Sequence, residues 1–233
     1  MASSQNPNLE ILTLAVHLLG DLADDMVFLG GCATGLLISD PAAPPIRVTR
    51  DVDAIVQVVS RAEYYRLSKK LKARGFKEDT SEGAPICRWL NDEIILDVMP
   101  TGQEILGFGN DWYQKAIEHP ILFELPDARA IRVVSPPYFL ITKLEAFNGR
   151  GKGDYMLSHD MEDIITVLDG RQEILDEIKN VDTELACELA TRFQQLLRHQ
   201  RFIDAVSGHM PTHETNQARV ANIIETINQI ANL

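Results

Sequence analysis

Near Pro136-Pro137 the chain changes its hydrophobic rhythm, and this limits the fold more than any single motif does. Before that point, short apolar runs alternate with amphipathic stretches. "MVFLGG", "VDAIVQVV", "EIILDVMP" and "AIRVVSPP" read as strands, the last running into a turn. Asn8 to Asp24 carries Leu9, Leu12, Val16, Leu19 and Leu22 at helical spacing. "CATGLLIS" reads as the opening of a second helix, and "RAEYYRLSKKLKARGF" as a third, closed by Gly75. "ICRWL" and "EIILDVMP" form a strand pair turning at Asn91-Asp92. "DPAAPP" is an irregular connection and "TGQEILGFGND" a loop. From Tyr138 onward the pattern is helical: Tyr138–Asn148, Ser158–Leu168, Gln172–Lys179, Thr183–His199 and Glu214–Asn232. The expectation is an α+β protein. Residues 1–135 form an α/β-like core with a small mixed sheet flanked by helices, and residues 136–233 a helical C-terminal domain.

The 233 residues suffice for one large domain or two small ones, and a net charge of −12 disfavours nucleic acid except at a local basic patch. "RAEYYRLSKKLKARGFK" is the most basic stretch, with Arg61, Arg66, Lys69, Lys70, Lys72, Arg74 and Lys77. It reads as an RNA-phosphate contact or as the solvated face of a sheet-covering helix. Cys32, Cys87 and Cys187 have no metal-type spacing and lie in largely apolar contexts, which points to a reduced protein. The N-terminal "MASSQNPNLEILTLAVHLLGD" lacks a basic start and is interrupted by Glu10, unlike a signal peptide. No apolar run approaches the ~18–20 residues that span a bilayer, so a cytoplasmic chain without membrane partners is expected. His209 and His213 are separated by Pro211, which breaks a helix, and no histidine is assigned to a metal.

"RVTRDVDAIV" places Asp51 and Asp53 two apart in a strand, on one face and about 6–7 Å from each other. Alone this is a polar edge strand or a pair that needs a cation. Asp97, inside "EIILDVMP", adds a carboxylate that is costly in so apolar a strand unless it is paired or bound to a cation. Three carboxylates suit Mg²⁺, and two such ions about 3.5–4 Å apart support in-line phosphoryl chemistry. Asp97 is also a candidate proton acceptor. Upstream, "FLGGCATGLL" ends a strand in Gly30-Gly31 and begins a helix, a place where backbone N–H groups receive phosphate, with Thr34 adding a hydroxyl. It is neither a P-loop nor a GxGxxG fingerprint. In "KLEAFNGRGKGDY", Lys143 and Arg150 lie seven apart on one helix face, a triphosphate contact or a solvated basic stripe.

Taken together, Gly30-Gly31, Arg47-x-Thr49-x-Asp51-Val52-Asp53 and the later Asp97 resemble the nucleotidyltransferase fold of the DNA polymerase beta superfamily. Lys143-x-x-Ala146-x-x-x-Arg150, followed by His159-Asp160-Met161-Glu162-Asp163-Ile164, looks like the third and fourth motifs of the AbiEii/AbiGii-type members, the toxin halves of abortive-infection toxin–antitoxin pairs. The resemblance runs from Phe28 to Leu168. It implies that Asp51, Asp53 and Asp97 hold Mg²⁺, as two ions in the family's manner, and that Gly30 and Gly31 hold NTP phosphates. It further implies that Lys143 and Arg150 stabilise the triphosphate and that Asp160 and Asp163 complete the far wall. His159 stands where the family's fourth motif begins with Lys, and "GKGDYMLS" lengthens the link between motifs. Ser158, Asp160 and Glu162 also suit a helix start on purely structural grounds.

The function expected from this is Mg²⁺-dependent transfer of an NMP from an NTP to an acceptor hydroxyl. RNA, including the tRNA 3′ end, is the acceptor the resemblance points to, with a cognate antitoxin as protein partner. A small-molecule acceptor, as in antibiotic-modifying members, is one rival. A nucleotide- or partner-binding module without turnover is another.

Overall fold

The computed structural model describes residues 6–107 and 109–233. The first five residues of "MASSQNPNLEILTLAVHLLGD" and Phe108 of "TGQEILGFGND" lie outside the described residues. The α+β expectation is met, with one mixed sheet of seven strands and flanking helices.

Residues up to Leu36, together with Ile46–Ser135, form one compact unit. Its first helix, α1 (Leu9–Leu19), buries Leu9, Leu12, Ala15, Val16 and Leu19 on one stripe. The Arg129 guanidinium donates to the carbonyls of Val16 and Gly20, meeting the negative end of that helix. The strand β1 (Met26–Leu29) is buried at every position and runs into a five-residue helix, α2 (Gly30–Thr34). It lies between β2 (Asp51–Val56), antiparallel to it, and β7 (Ala130–Val134), parallel to it. Burial on both faces explains why "MVFL" has no polar alternation.

On the other side of β2 comes β5 (Ile95–Pro100), parallel, then β4 (Arg88–Leu90) and β3 (Lys77–Glu78), both antiparallel to their neighbours. The expected β4–β5 hairpin forms, but it turns at Asp92-Glu93 and not at Asn91-Asp92, with Leu90 opposite Ile95. Helix α3 (Arg61–Ala73) starts on a capping box between Ser60 and Glu63 and buries only Leu67, Ser68 and Leu71.

Several local expectations need correction. "TGQEILGFGND" contains a short helix, α4 (Gln103–Leu106). The stretch between that segment and β7 holds a further helix, α5 (Tyr113–Glu118), and an edge strand, β6 (Pro120–Glu124), paired with β7. A proline at the strand's first residue is compatible with an edge. "SPP" is not a turn: Pro136 opens helix α6 (Pro136–Arg150), where a missing N–H costs nothing.

The second compact unit joins Leu37–Pro45 to Pro136–Leu233. After α6 come α7 (His159–Gly170), α8 (Ile174–Lys179), α9 (Thr183–Leu197), α10 (Gln200–Gly208), α11 (Glu214–Gln217) and α12 (Val220–Ala231). The helix α10 was not expected, and the single helix expected from Glu214 is broken at Ala218-Arg219. That break frees Arg219 to grip Asp169 through Nε at 2.7 Å and Asp40 through Nη2 at 2.6 Å. The Pro-rich segment is thereby strapped to the helices. The N–H groups of Ser39 and Asp40 both donate to the Gly170 carbonyl. No described helix is long and apolar enough to cross a membrane.

Candidate active site

The sheet places the predicted carboxylates side by side. Asp53 and Asp97 are directly opposite each other on the parallel strands β2 and β5, so their side chains leave the sheet on one face. Asp51 joins them from two residues earlier on β2. Asp97 is buried, and Asp51 is half-buried. Unit charges at this spacing repel by about 2–3 kcal/mol per pair at an effective dielectric near 20.

The compensation comes from a residue that sequence reasoning did not single out. Arg88 on β4 lies directly across from Asp97. Its Nε donates to Asp97 Oδ1 at 2.8 Å and its Nη2 to Asp97 Oδ2 at 2.7 Å. The same Nη2 reaches Asp51 Oδ2 at 3.4 Å. The bidentate hydrogen bonds that Arg88 donates to Asp97 outweigh burial and hold the guanidinium more firmly protonated than usual. Of the two ways to offset a buried carboxylate, pairing or a bound cation, the structure uses pairing at Asp97. Burial, then the charges of Asp97 and Asp53, push the neighbouring Cys87 thiol up to about 12.

The Gly-Gly turn contributes space. Gly30 has φ +71°, and a Cβ there would stand 2.0 Å from Asp53 Oδ2. Glycine thus serves twice, for the left-handed backbone and for the carboxylate seated against it. At Gly31 a Cβ would meet Arg47 Nη2 at 3.0 Å. As α2 spans five residues, its dipole is small, and the Thr34 hydroxyl donates back to the Gly30 carbonyl at 3.3 Å. Thr34 is buried and does not present its hydroxyl outward.

A second residue that went unnoticed, Asn8, ties these parts together. It is fully buried. Its Nδ2 donates to the carbonyls of Gly31 (3.2 Å) and Arg47 (2.9 Å), and its Oδ1 accepts from the Thr49 N–H at 2.9 Å. The Thr49 hydroxyl in turn donates to Asp51 Oδ1 at 2.6 Å. The Gly-Gly turn and the approach to β2 are therefore pinned by one amide. At the start of a helix it resembles an ordinary cap, and no local pattern reveals three partners distant in sequence.

The second unit holds the other predicted group. Lys143 on α6 donates through Nζ to Asp163 Oδ2 at 2.6 Å and to Asp160 Oδ1 at 3.2 Å. Arg150 forks onto Asp160, Nε to Oδ2 at 2.9 Å and Nη2 to Oδ1 at 2.8 Å. Burial pushes the Asp160 carboxyl up, but Arg150 and Lys143 together outweigh it and hold the group below the usual range. The two cations expected to stand clear on one stripe are engaged by the two aspartates expected on the wall. Lys143 is buried within this network, whereas most of the Arg150 side chain is exposed.

Tested against a divalent ion, the acidic face does not fit as its side chains stand. Both Asp97 oxygens and one from Asp51 face Arg88, and the other Asp51 oxygen accepts from Thr49. Among the described residues no group of three or more His, Cys, Asp or Glu side chains is arranged to hold a metal.

No protein-family model matches the chain, and no curated protein matches it. Among solved structures, it is similar to an antigenic nucleotidyltransferase-like protein from Paracoccidioides brasiliensis, at 20% identity over 88% of this chain and 94% of that one, with a TM-score of 0.48. It is also similar to a nucleotidyltransferase structure from H. pylori described as putative, at 12% identity over 99% and 96%, with a TM-score of 0.45. The protein JHP933 from Helicobacter pylori aligns at 12% identity over 99% and 93%, with a TM-score of 0.41. Likeness at this level leaves the reading of the site to its own geometry.

Proposed function

We propose that the chain is a nucleotidyltransferase that moves an NMP from an NTP to an acceptor hydroxyl. One observation carries the reading: Asp53 and Asp97 face each other on adjacent parallel strands, with Asp51 beside them and the Asp53 carboxylate seated against a glycine with no room for a side chain. An apolar sheet has no structural need for three acids on one face. In the reaction the acceptor oxygen attacks the α-phosphorus, and the bond to the pyrophosphate oxygen breaks. The hydroxyl proton passes to Asp53, whose carboxylate is seated against the Gly30 turn on the face it shares with Asp51 and Asp97. The pyrophosphate leaves with the electron pair of the broken bond. The guanidinium of Arg88 supplies positive charge where phosphate oxygens gather.

RNA is the acceptor class we favour. Arg61, Arg66, Lys69 and Lys70 are exposed along α3, a local basic face on an otherwise acidic chain. A toxin role with a cognate antitoxin belongs to the same reading.

Wild type and Asp53→Asn are incubated with each α-labelled NTP, with RNA and small hydroxylated acceptors, in Mg²⁺ or Mn²⁺ buffer. Label should appear on RNA with wild type and fall at least about 100-fold in the variant, the scale of a lost general base. No transfer by wild type, or equal transfer by Asp53→Asn, refutes the assignment. Transfer to a small molecule alone refutes the RNA acceptor.

A further inference from the structure

The acidic face and the arginine across from it disagree with a simple metal site, and the disagreement is informative. Three carboxylates on one sheet face carry more negative charge than the fold needs, yet one guanidinium already lies among them. We infer that Arg88 is a resident counter-cation that guards the site: the carboxylates take a divalent cation only when Arg88 withdraws from Asp97 and Asp51. The inference rests on the nucleotidyltransferase reading for its purpose, but not for its test.

Four features carry it. First, Arg88 binds the carboxylates that the ion would need, both oxygens of Asp97 and one of Asp51, so the two cations exclude each other. Second, a guanidinium stays charged throughout the physiological range, so pH cannot clear the site and only a side-chain movement can. Third, the movement has a way out. The Arg88 side chain keeps 23% of its exposure, against 9% for Asp97, so the guanidinium borders solvent while the carboxylate does not. Fourth, Arg88 brings one positive charge to a three-carboxylate face, and a divalent ion brings two. The ion is the better electrostatic match once the side chain has left.

The consequence is a reduced apparent affinity. A ligand that binds only the fraction of molecules with Arg88 withdrawn has its dissociation constant raised by the inverse of that fraction. Arg88 also offsets part of the charge of the face in the ion's absence, lowering the repulsion that a bare carboxylate triad would carry.

The test measures Mn²⁺ binding to the full chain by electron paramagnetic resonance and calorimetry, without nucleotide. Arg88→Met should bind Mn²⁺ at least about tenfold more tightly than wild type, a shift of one decade in the dissociation constant. Adding Asp53→Asn to Arg88→Met should remove the gain, placing the ion on this face. Arg88→Lys keeps the charge but loses the bidentate grip. It should fall between wild type and Arg88→Met, and it decides the matter if the methionine variant does not fold. Equal or weaker Mn²⁺ binding in the folded variant overturns the inference, as does a gain that survives Asp53→Asn. Nucleotide transfer is followed on the same preparations. Transfer by wild type with unchanged Mn²⁺ affinity in the variants overturns the guard alone. A tenfold gain with no transfer by any protein overturns the nucleotidyltransferase reading alone.

Discussion

Gly30→Ala tests the packing on which the acidic face depends. The substitution forces an L side chain to φ +71°. The left-handed region costs a non-glycine residue about 1–2 kcal/mol. The new methyl would also stand 2.0 Å from Asp53 Oδ2, 2.6 Å from Cγ and 2.9 Å from Cβ, so the carboxylate has to move. Overpacking of this kind costs about 1–3 kcal/mol. The total is about 2–5 kcal/mol, which lowers a urea midpoint by about 1–2 M at a typical slope. Tryptophan fluorescence is a suitable probe, because both tryptophans, Trp89 and Trp112, lie in the sheet-bearing unit. Asp53→Gly separates the two contributions. In that background the clash is gone and only the backbone cost remains, so the double-mutant cycle should show about 1–3 kcal/mol of coupling. A loss under about 1 kcal/mol for Gly30→Ala, or additivity within ~0.5 kcal/mol, refutes the close seating of Asp53 against the turn.

Lys143→Met leaves Asp163 buried without its 2.6 Å partner, and should destabilise the helical unit by about 3–5 kcal/mol in urea unfolding followed by circular dichroism. A loss under about 1 kcal/mol contradicts the network. The Asp160 carboxyl, held low by Arg150 and Lys143 against its burial, gives stability that is present above its unfolded value near ~3.9 and lost as pH falls through the folded value. The stability of the helical unit, followed by unfolding between about pH 7 and pH 3, should therefore fall on acidification, with a flatter slope in Asp160→Asn, and an unchanged slope would rule out this linkage. At about pH 8, buried Cys87, pushed up to about 12, should resist thiol reagents while exposed Cys187 reacts. Rapid labelling of Cys87, identified by peptide mass, would show that the strand pair opens.

What the sequence made legible follows from periodicity. A strand alternates with period two, so Asp51 and Asp53 had to share a face whatever their neighbours were. The apolar residues around Asp97 likewise required a partner for it. Which partner depended on cross-strand register, a non-local property. It was just out of reach: counting outward from the expected Asn91-Asp92 turn pairs Arg88 with Ile95, whereas the bend centres on Asp92-Glu93 and sets Leu90 against Ile95 and Arg88 against Asp97. Asn8 was beyond reach, since its partners Gly31, Arg47 and Thr49 come together only through the fold. The errors in the helical half have local causes. Pro136 looked like a terminator but serves as a helix opener, and the break at Ala218-Arg219 carries no glycine or proline to mark it.

The distances along the chain also set an order of events. Arg88 and Asp97 are nine residues apart, within one hairpin, whereas Arg88 and Asp51 are separated by 37. A hairpin closes in about 1–10 μs, while a parallel crossover first has to overcome the entropy of a long loop. The nascent β4–β5 ribbon can therefore carry its own neutralised aspartate before β2 docks. Charge balance at the sheet's centre is then assembled locally, and the two remaining acids arrive at an edge that already contains a cation.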